Sequence, residues 1–124
     1  MSGHVFVYGT LKPGQHRWPA LAEFHTGERF AARAPGLLFD PGWGWPVAVF
    51  DPDRTEEVPG VVVEIRPGSV EEALGTLDDI EGVAAGLFRR ILIDVDGQHC
   101  WAYHWPGGTA AFRRIPSWPP SAPG

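Results

Sequence analysis

The chain has one cysteine, Cys100, in 124 residues, so no intramolecular disulfide can form. That usage fits a reducing, cytoplasmic setting. No Cys-x-x-Cys or His-x-x-x-His pair occurs, and His99 and His104 are five apart, which puts them on opposite faces of a strand. A metal site is therefore not expected. Runs of Lys or Arg are missing and the net charge is −5, which argues against nucleic acid or an anionic membrane surface as partner. No apolar run approaches the roughly 20 residues that span a bilayer. Met1-Ser2-Gly3-His4 lacks the charged start and apolar stretch of a secretory leader. What remains is a chain of one-domain size, 44% apolar, with 16 Gly, 13 Pro and 6 Trp. This composition favours short elements joined by tight turns over a helical bundle.

Short apolar runs bounded by Gly, Pro and Asp predict strands. They fall at Val5–Tyr8, Gly36–Phe39, Val47–Phe50, Gly60–Ile65, Arg90–Val95 and Cys100–Trp105. Asp96-Gly97 marks a hairpin between the last two. Asp51–Pro59 reads as an exposed loop. A short helix is expected from Pro19, with Gly27 beyond its end. A longer helix follows Ser69, where Ser69 and Glu72 have the spacing of a capping box. Val70, Ala73, Leu74 and Leu77 then keep the i, i+3, i+4, i+7 rule. Gly82 is its natural stop. After residue 106 the pattern dissolves, and no internal repeat is present. The expected organisation is a domain over 1–108 and a Pro-rich tail over 109–124, disordered or draped on the surface. The expected fold is α+β: a small, closed or nearly closed six-stranded barrel of mixed, mostly antiparallel strands with flanking helices.

Two places carry chemistry. At 100° per residue, Glu81 falls about 20° from the centre of the helix's apolar stripe, whereas Asp79 faces solvent and Asp78 lies at the edge. An inward carboxylate loses solvation, and its pKa rises toward neutrality. Such an acid can take and return a proton. The plainer alternative is a Glu that reaches out of the helix end or pairs with Arg89 or Arg90, one of which faces inward. The second place is the turn Tyr8-Gly9-Thr10-Leu11 after the first strand. Gly9 allows φ > 0 there, and free N–H groups in such a turn make a cradle for a carboxylate or oxyanion. Gly9 and Gly14 have P-loop spacing, but Gln15-His16 stand where Lys and Ser/Thr are required. Cys100 reads as a small core residue and Ser69 as a cap. Trp43 and Trp45 either rim a pocket or plug the core.

The stretch Val7-Tyr8-Gly9-Thr10-Leu11-Lys12-Pro13-Gly14, followed about seventy residues later by Leu77-Asp78-Asp79-Ile80-Glu81-Gly82, resembles the γ-glutamylcyclotransferase-like (AIG2-like) superfamily. Gly36-Leu37-Leu38-Phe39-Asp40, Pro46, Val58-Pro59-Gly60, Phe88-Arg89-Arg90 and Tyr103 fit the rest of its pattern, and the resemblance spans roughly residues 4–105. It implies a six-stranded barrel with a cavity at one end. It also implies cyclisation of a γ-glutamyl amide to 5-oxoproline, with release of an amine or amino acid and no cofactor. Glu81 would shuttle the proton. Gly9, Thr10 and Leu11 would hold the γ-glutamyl group through their N–H groups, and Tyr8 would line the pocket. Phe88 stands where members often have Tyr, Val61 where an acid is frequent, and residues 83–87 are small and apolar. The leaving amine and the oligomeric state stay open. A non-catalytic carboxylate- or small-ligand-binding module on the same fold is the alternative. Hydrolysis ranks last, because neither a metal set nor a Ser/Cys–His arrangement is seen.

Overall fold

The computed structural model describes residues 3–120. Met1, Ser2 and the last four residues of the Pro-rich stretch lie outside the described residues. The elements run β1 (His4–Val7), α1 (Trp18–Ala22), β2 (His25–Asp40), β3 (Val47–Phe50), β4 (Glu57–Ile65), α2 (Val70–Glu81), β5 (Arg89–Val95), β6 (Gln98–His104) and β7 (Arg113–Arg114). The strands line up as β3-β2-β4-β1-β6-β5, with β7 beside β2. Among the described residues only the β1–β6 pairing is parallel. The Trp105 amide donates to the Ala48 carbonyl at 2.9 Å, which ties the segment after β6 to β3 and nearly closes the barrel.

β1 is a central strand buried on both faces, hence its unbroken apolar run. Val5 and Val7 pack under α1 and α2 with Leu21, Phe24, Val63, Ala73, Leu74 and Leu77. Phe6 and Tyr8 point the other way, into the barrel, against Leu38, Ala48, Phe50, Val62, Cys100 and Ala102. The strand thus divides two cores, and its C-terminal end delivers the Tyr8–Leu11 turn to the barrel's rim. The β5–β6 hairpin turns on Asp96 (φ 52°) and Gly97 (φ 84°), the two left-handed residues of a type I′ turn.

Four expectations need correction. β2 is 16 residues long, not four, because its first half is held by pairing with β4 while most of its side chains are exposed. It bends at Pro35-Gly36, where its partner changes from β4 to β3. β4 begins at Glu57, inside the expected loop, for the same reason. Ser69 is the N-cap by position, but its side chain makes no capping bond, so no capping box forms; the Ser69 carbonyl accepts from the Ala73 amide at 2.9 Å. After residue 106, β7 adds a strand, and Ile115 is buried with its amide donating to the Leu38 carbonyl at 3.0 Å. Lys12, through Nζ, donates to the Trp118 carbonyl, so this segment lies against the cradle turn. No helix among the described residues is long and apolar enough to cross a membrane.

Two glycines make opposite predictions. A Cβ at Gly60 would stand 2.4 Å from the Val7 carbonyl oxygen and 2.7 Å from the Phe6 ring. Backbone cannot yield to it, so Gly60→Ala is expected to cost about 3 kcal/mol in denaturant unfolding. Gly75 lies within α2 with open space around its Cα, so Gly75→Ala should stabilise by about 0.5–1 kcal/mol. A neutral Gly60→Ala or a destabilising Gly75→Ala would contradict this packing.

Candidate active site

α2 ends in a Schellman motif. Gly82 takes the left-handed conformation (φ 67°, ψ 36°), its amide donates to the Asp79 carbonyl at 3.3 Å, and the Val83 amide donates to the Asp78 carbonyl at 3.0 Å. The cap stops the helix one residue after Glu81, which is therefore its last residue. The apolar stripe turns Ala73, Leu74 and Leu77 into the core and carries Glu81 to the same side.

What fixes this helix end to the barrel is Asp78. Its Oδ1 accepts from the Tyr103 hydroxyl at 2.8 Å and from Arg90 Nε at 3.1 Å. Arg90 also lies over the Trp101 ring, 4.7 Å from its centroid. The Tyr8 hydroxyl donates to the Tyr103 carbonyl at 2.5 Å and so links β1's end to β6. Burial raises the pKa of both tyrosines, helped at Tyr103 by the bond to Asp78 and at Tyr8 by the charge of Glu81. Both hydroxyls are therefore fixed donors in this network. Arg90 is the partly inward arginine and Arg89 the exposed one. Neither forms a salt bridge with Glu81 among the described residues. The plainer reading of Glu81 as half of that ion pair does not hold: Asp78 takes Arg90.

Glu81, Tyr8, Gly9, Thr10 and Leu11 meet in one cleft, about 380 Å³ counted to its open mouth. Trp45, Pro46, Phe88, Tyr103 and Arg17 complete its wall. The half-buried Glu81 carboxyl makes no hydrogen bond or salt bridge among the described residues. Burial lifts its pKa from 4.5 to about 7, with the charge of Arg17 pulling the other way. In the same cleft, the amides of Gly9, Thr10 and Leu11 donate to no acceptor among the described residues. Unpaired amides in a cleft suit an anion or a polarised carbonyl.

Gly9 earns its place differently from the expectation. Its φ is not positive; a Cβ there would sit 2.8 Å from Cγ of Pro46, so glycine is needed because that ring packs onto the turn. Trp45 lines the cleft, while Trp43 caps a ring cluster with Trp45 (4.9 Å between centroids), Trp105 (5.6 Å) and Phe112 (5.2 Å). Phe88 is buried between Trp45 and Trp105. Cys100 is buried in the barrel core, its thiol pushed up to about 12 by burial and by Asp94, so it is no nucleophile. His104 accepts from the Phe50 amide through Nδ1 at 3.1 Å, a structural bond. Arg17 is the cleft residue that sequence reasoning missed. It lies in an irregular polar stretch, Gln15-His16-Arg17, where no periodicity says which way a side chain points.

The comparisons agree with this architecture. The sequence profile of the family described as gamma-glutamyl cyclotransferase, AIG2-like, matches residues 5–119. Among solved structures, a mouse AIG2-like protein is 22% identical, with TM-score 0.72 over 98% of this chain and 90% of that one. A protein from Pyrococcus horikoshii titled as uncharacterized is 18% identical, with TM-score 0.67 over 92% and 86%. A structure titled gamma-glutamyl cyclotransferase is 20% identical, with TM-score 0.57 over 92% and 70%. At these identities the structures show a shared fold. No curated protein matches the sequence. On the strength of a profile match that runs from β1 through the segment after β7, the chain belongs to the gamma-glutamyl cyclotransferase, AIG2-like family.

Proposed function

We propose that this protein is a γ-glutamylcyclotransferase-type enzyme that converts a γ-glutamyl amide into 5-oxoproline and a free amine. One observation carries the reading: an unpaired carboxyl with a pKa of about 7 shares a cleft with three unpaired backbone amides. Family membership and the structure titled gamma-glutamyl cyclotransferase support it.

In this reading the amides of Gly9, Thr10 and Leu11 hold the γ-glutamyl group by its oxygens, and Tyr8 shapes the wall behind it. The neutral α-amine attacks the γ-carbonyl carbon. A C–N bond forms, closing a five-membered lactam, and the C–N bond to the leaving nitrogen breaks. Glu81 takes one proton from the attacking amine and gives one to the leaving nitrogen, so atoms balance and no water enters. A pKa near neutrality suits both halves of that transfer, a contribution of about 10²–10⁴-fold. The cleft's other contribution is to hold the flexible chain in a ring-closing conformer. The enzyme is expected to act on a small molecule and to need no cofactor.

Glu81→Gln is expected to lower 5-oxoproline release by about 10²–10⁴-fold while leaving substrate binding nearly unchanged. Loss of binding in step with loss of turnover would contradict the proton-shuttle role. An N-acetylated γ-glutamyl substrate should not react at all, because its nitrogen is no longer a nucleophile; cleavage of that substrate would point to hydrolysis. Turnover of no γ-glutamyl amide alongside ligand-induced stabilisation would favour a binding module.

The same variant should be more stable than the wild type at pH 8. Folding raises the Glu81 pKa, so the folded state binds this proton more tightly than the unfolded state does. Stability from that proton is full below the unfolded value of 4.5 and is lost as pH rises through about 7. Glu81→Gln removes the burdened charge and should gain up to about 3 kcal/mol at pH 8, shrinking toward zero below pH 4.5, in urea unfolding. An unchanged difference across that range would contradict a desolvated carboxyl.

A further inference from the structure

Past Glu81 the cleft continues into a second chamber of about 260 Å³, counted to its mouth and lined by Arg17, Trp45, Ile80, Glu81, Leu87 and Phe88. Arg17, Trp45, Glu81 and Phe88 border both chambers, so Glu81 stands at the partition. An amide whose acyl side lies on the Gly9–Leu11 amides and whose nitrogen lies at Glu81 must send its amine half into this second chamber.

Its lining is chemically selective. Trp45, Ile80, Leu87 and Phe88 offer no charge, and Arg17 is the one cation. Two arginines of the chain are half-buried, Arg17 and Arg90. Arg90 is paired with Asp78 and lies over Trp101. Arg17 makes no hydrogen bond or salt bridge among the described residues, and its backbone, not its side chain, is what the fold uses: its amide donates to the Thr10 carbonyl at 2.9 Å. The one acid among the described residues whose pKa its charge shifts is Glu81, which it influences through space with no hydrogen bond or ion pair between them, so the guanidinium's donors are left for an anion to complete. Its fork of N–H donors suits a carboxylate.

We propose that Arg17 binds a carboxylate on the leaving amine, so that the amine released is an apolar α-amino acid whose side chain lies against Trp45, Leu87 and Phe88. This rests on the cyclotransferase reading and narrows its substrate to γ-glutamyl dipeptides with an apolar second residue. Arg17 is then a specificity-determining residue, not a catalytic one.

The test uses two substrates that differ only in the carboxylate, γ-glutamylphenylalanine and γ-glutamylphenethylamine. They are assayed for 5-oxoproline with wild type, Arg17→Gln and Arg17→Lys. The wild type should prefer the carboxylated substrate by about ten- to a hundredfold in kcat/KM, the value of one charge-assisted contact. Arg17→Gln should erase that preference by lowering the carboxylated substrate about ten- to a hundredfold more than the other, since any effect of the lost charge on Glu81 falls on both substrates alike and leaves their ratio untouched, and Arg17→Lys should restore part of it. If Arg17→Gln slows both substrates equally, Arg17 serves the γ-glutamyl half or Glu81, and the proposal falls while the cyclotransferase reading stands. Turnover confined to γ-glutamyl amines with polar or cationic side chains would overturn the apolar amino acid. Failure of the wild type on every γ-glutamyl amide would instead overturn the cyclotransferase reading, and this proposal with it. Thermal unfolding of both variants checks that the folded state is intact.

Discussion

The site depends on Asp78. One carboxylate oxygen accepts from the Tyr103 hydroxyl and from Arg90, and Tyr103 in turn takes the Tyr8 hydroxyl on its carbonyl. These contacts tie the last turn of α2, strand β6 and the end of β1 into one unit. Three residues further on, Glu81 has only the direction the helix gives it. The pairing therefore anchors the helix end that carries Glu81. Arg17, the cation that does reach Glu81 electrostatically, only moderates the effect of burial.

The chemistry follows from leaving two sets of polar groups unsatisfied in one cleft. One set is the amides of a turn pressed against Pro46; the other is a carboxyl at a helix end stopped by Gly82. Each is unfavourable when taken from water without a partner. Each becomes useful when a ligand supplies an acceptor to the amides and exchangeable protons to the acid. The barrel bears this because the cleft's apolar lining belongs to its two cores, Leu11, Phe88 and Tyr103 to one and Phe6 and Tyr8 to the other, so packing holds the site in place.

Much of this was legible in the residues. The apolar stripe of α2 fixed the inward direction of Glu81, and Asp79 is exposed as that same period requires. β1, β3, both hairpin strands and the Asp96-Gly97 turn lie where alternation and turn chemistry put them, within a residue or two. The first half of β2 was invisible because ladder pairing with β4, not side-chain burial, makes it a strand. β7 was invisible for the same reason, being two exposed arginines held by pairing with Phe39 and Asp40. Ser69-x-x-Glu72 carried the letters of a capping box without its bonds, since spacing does not dictate a rotamer. Arg17 escaped notice because an irregular turn has no period to read.

The most direct measurement is a site-resolved titration of the Glu81 side-chain carboxyl by carbon-13 NMR, assigned by its loss in Glu81→Gln. A midpoint near 7 is expected from a carboxyl desolvated against the barrel rim. A midpoint at the ordinary 4.5 would mean that Glu81 is solvated or paired, and would remove the acid on which the proposed ring closure turns.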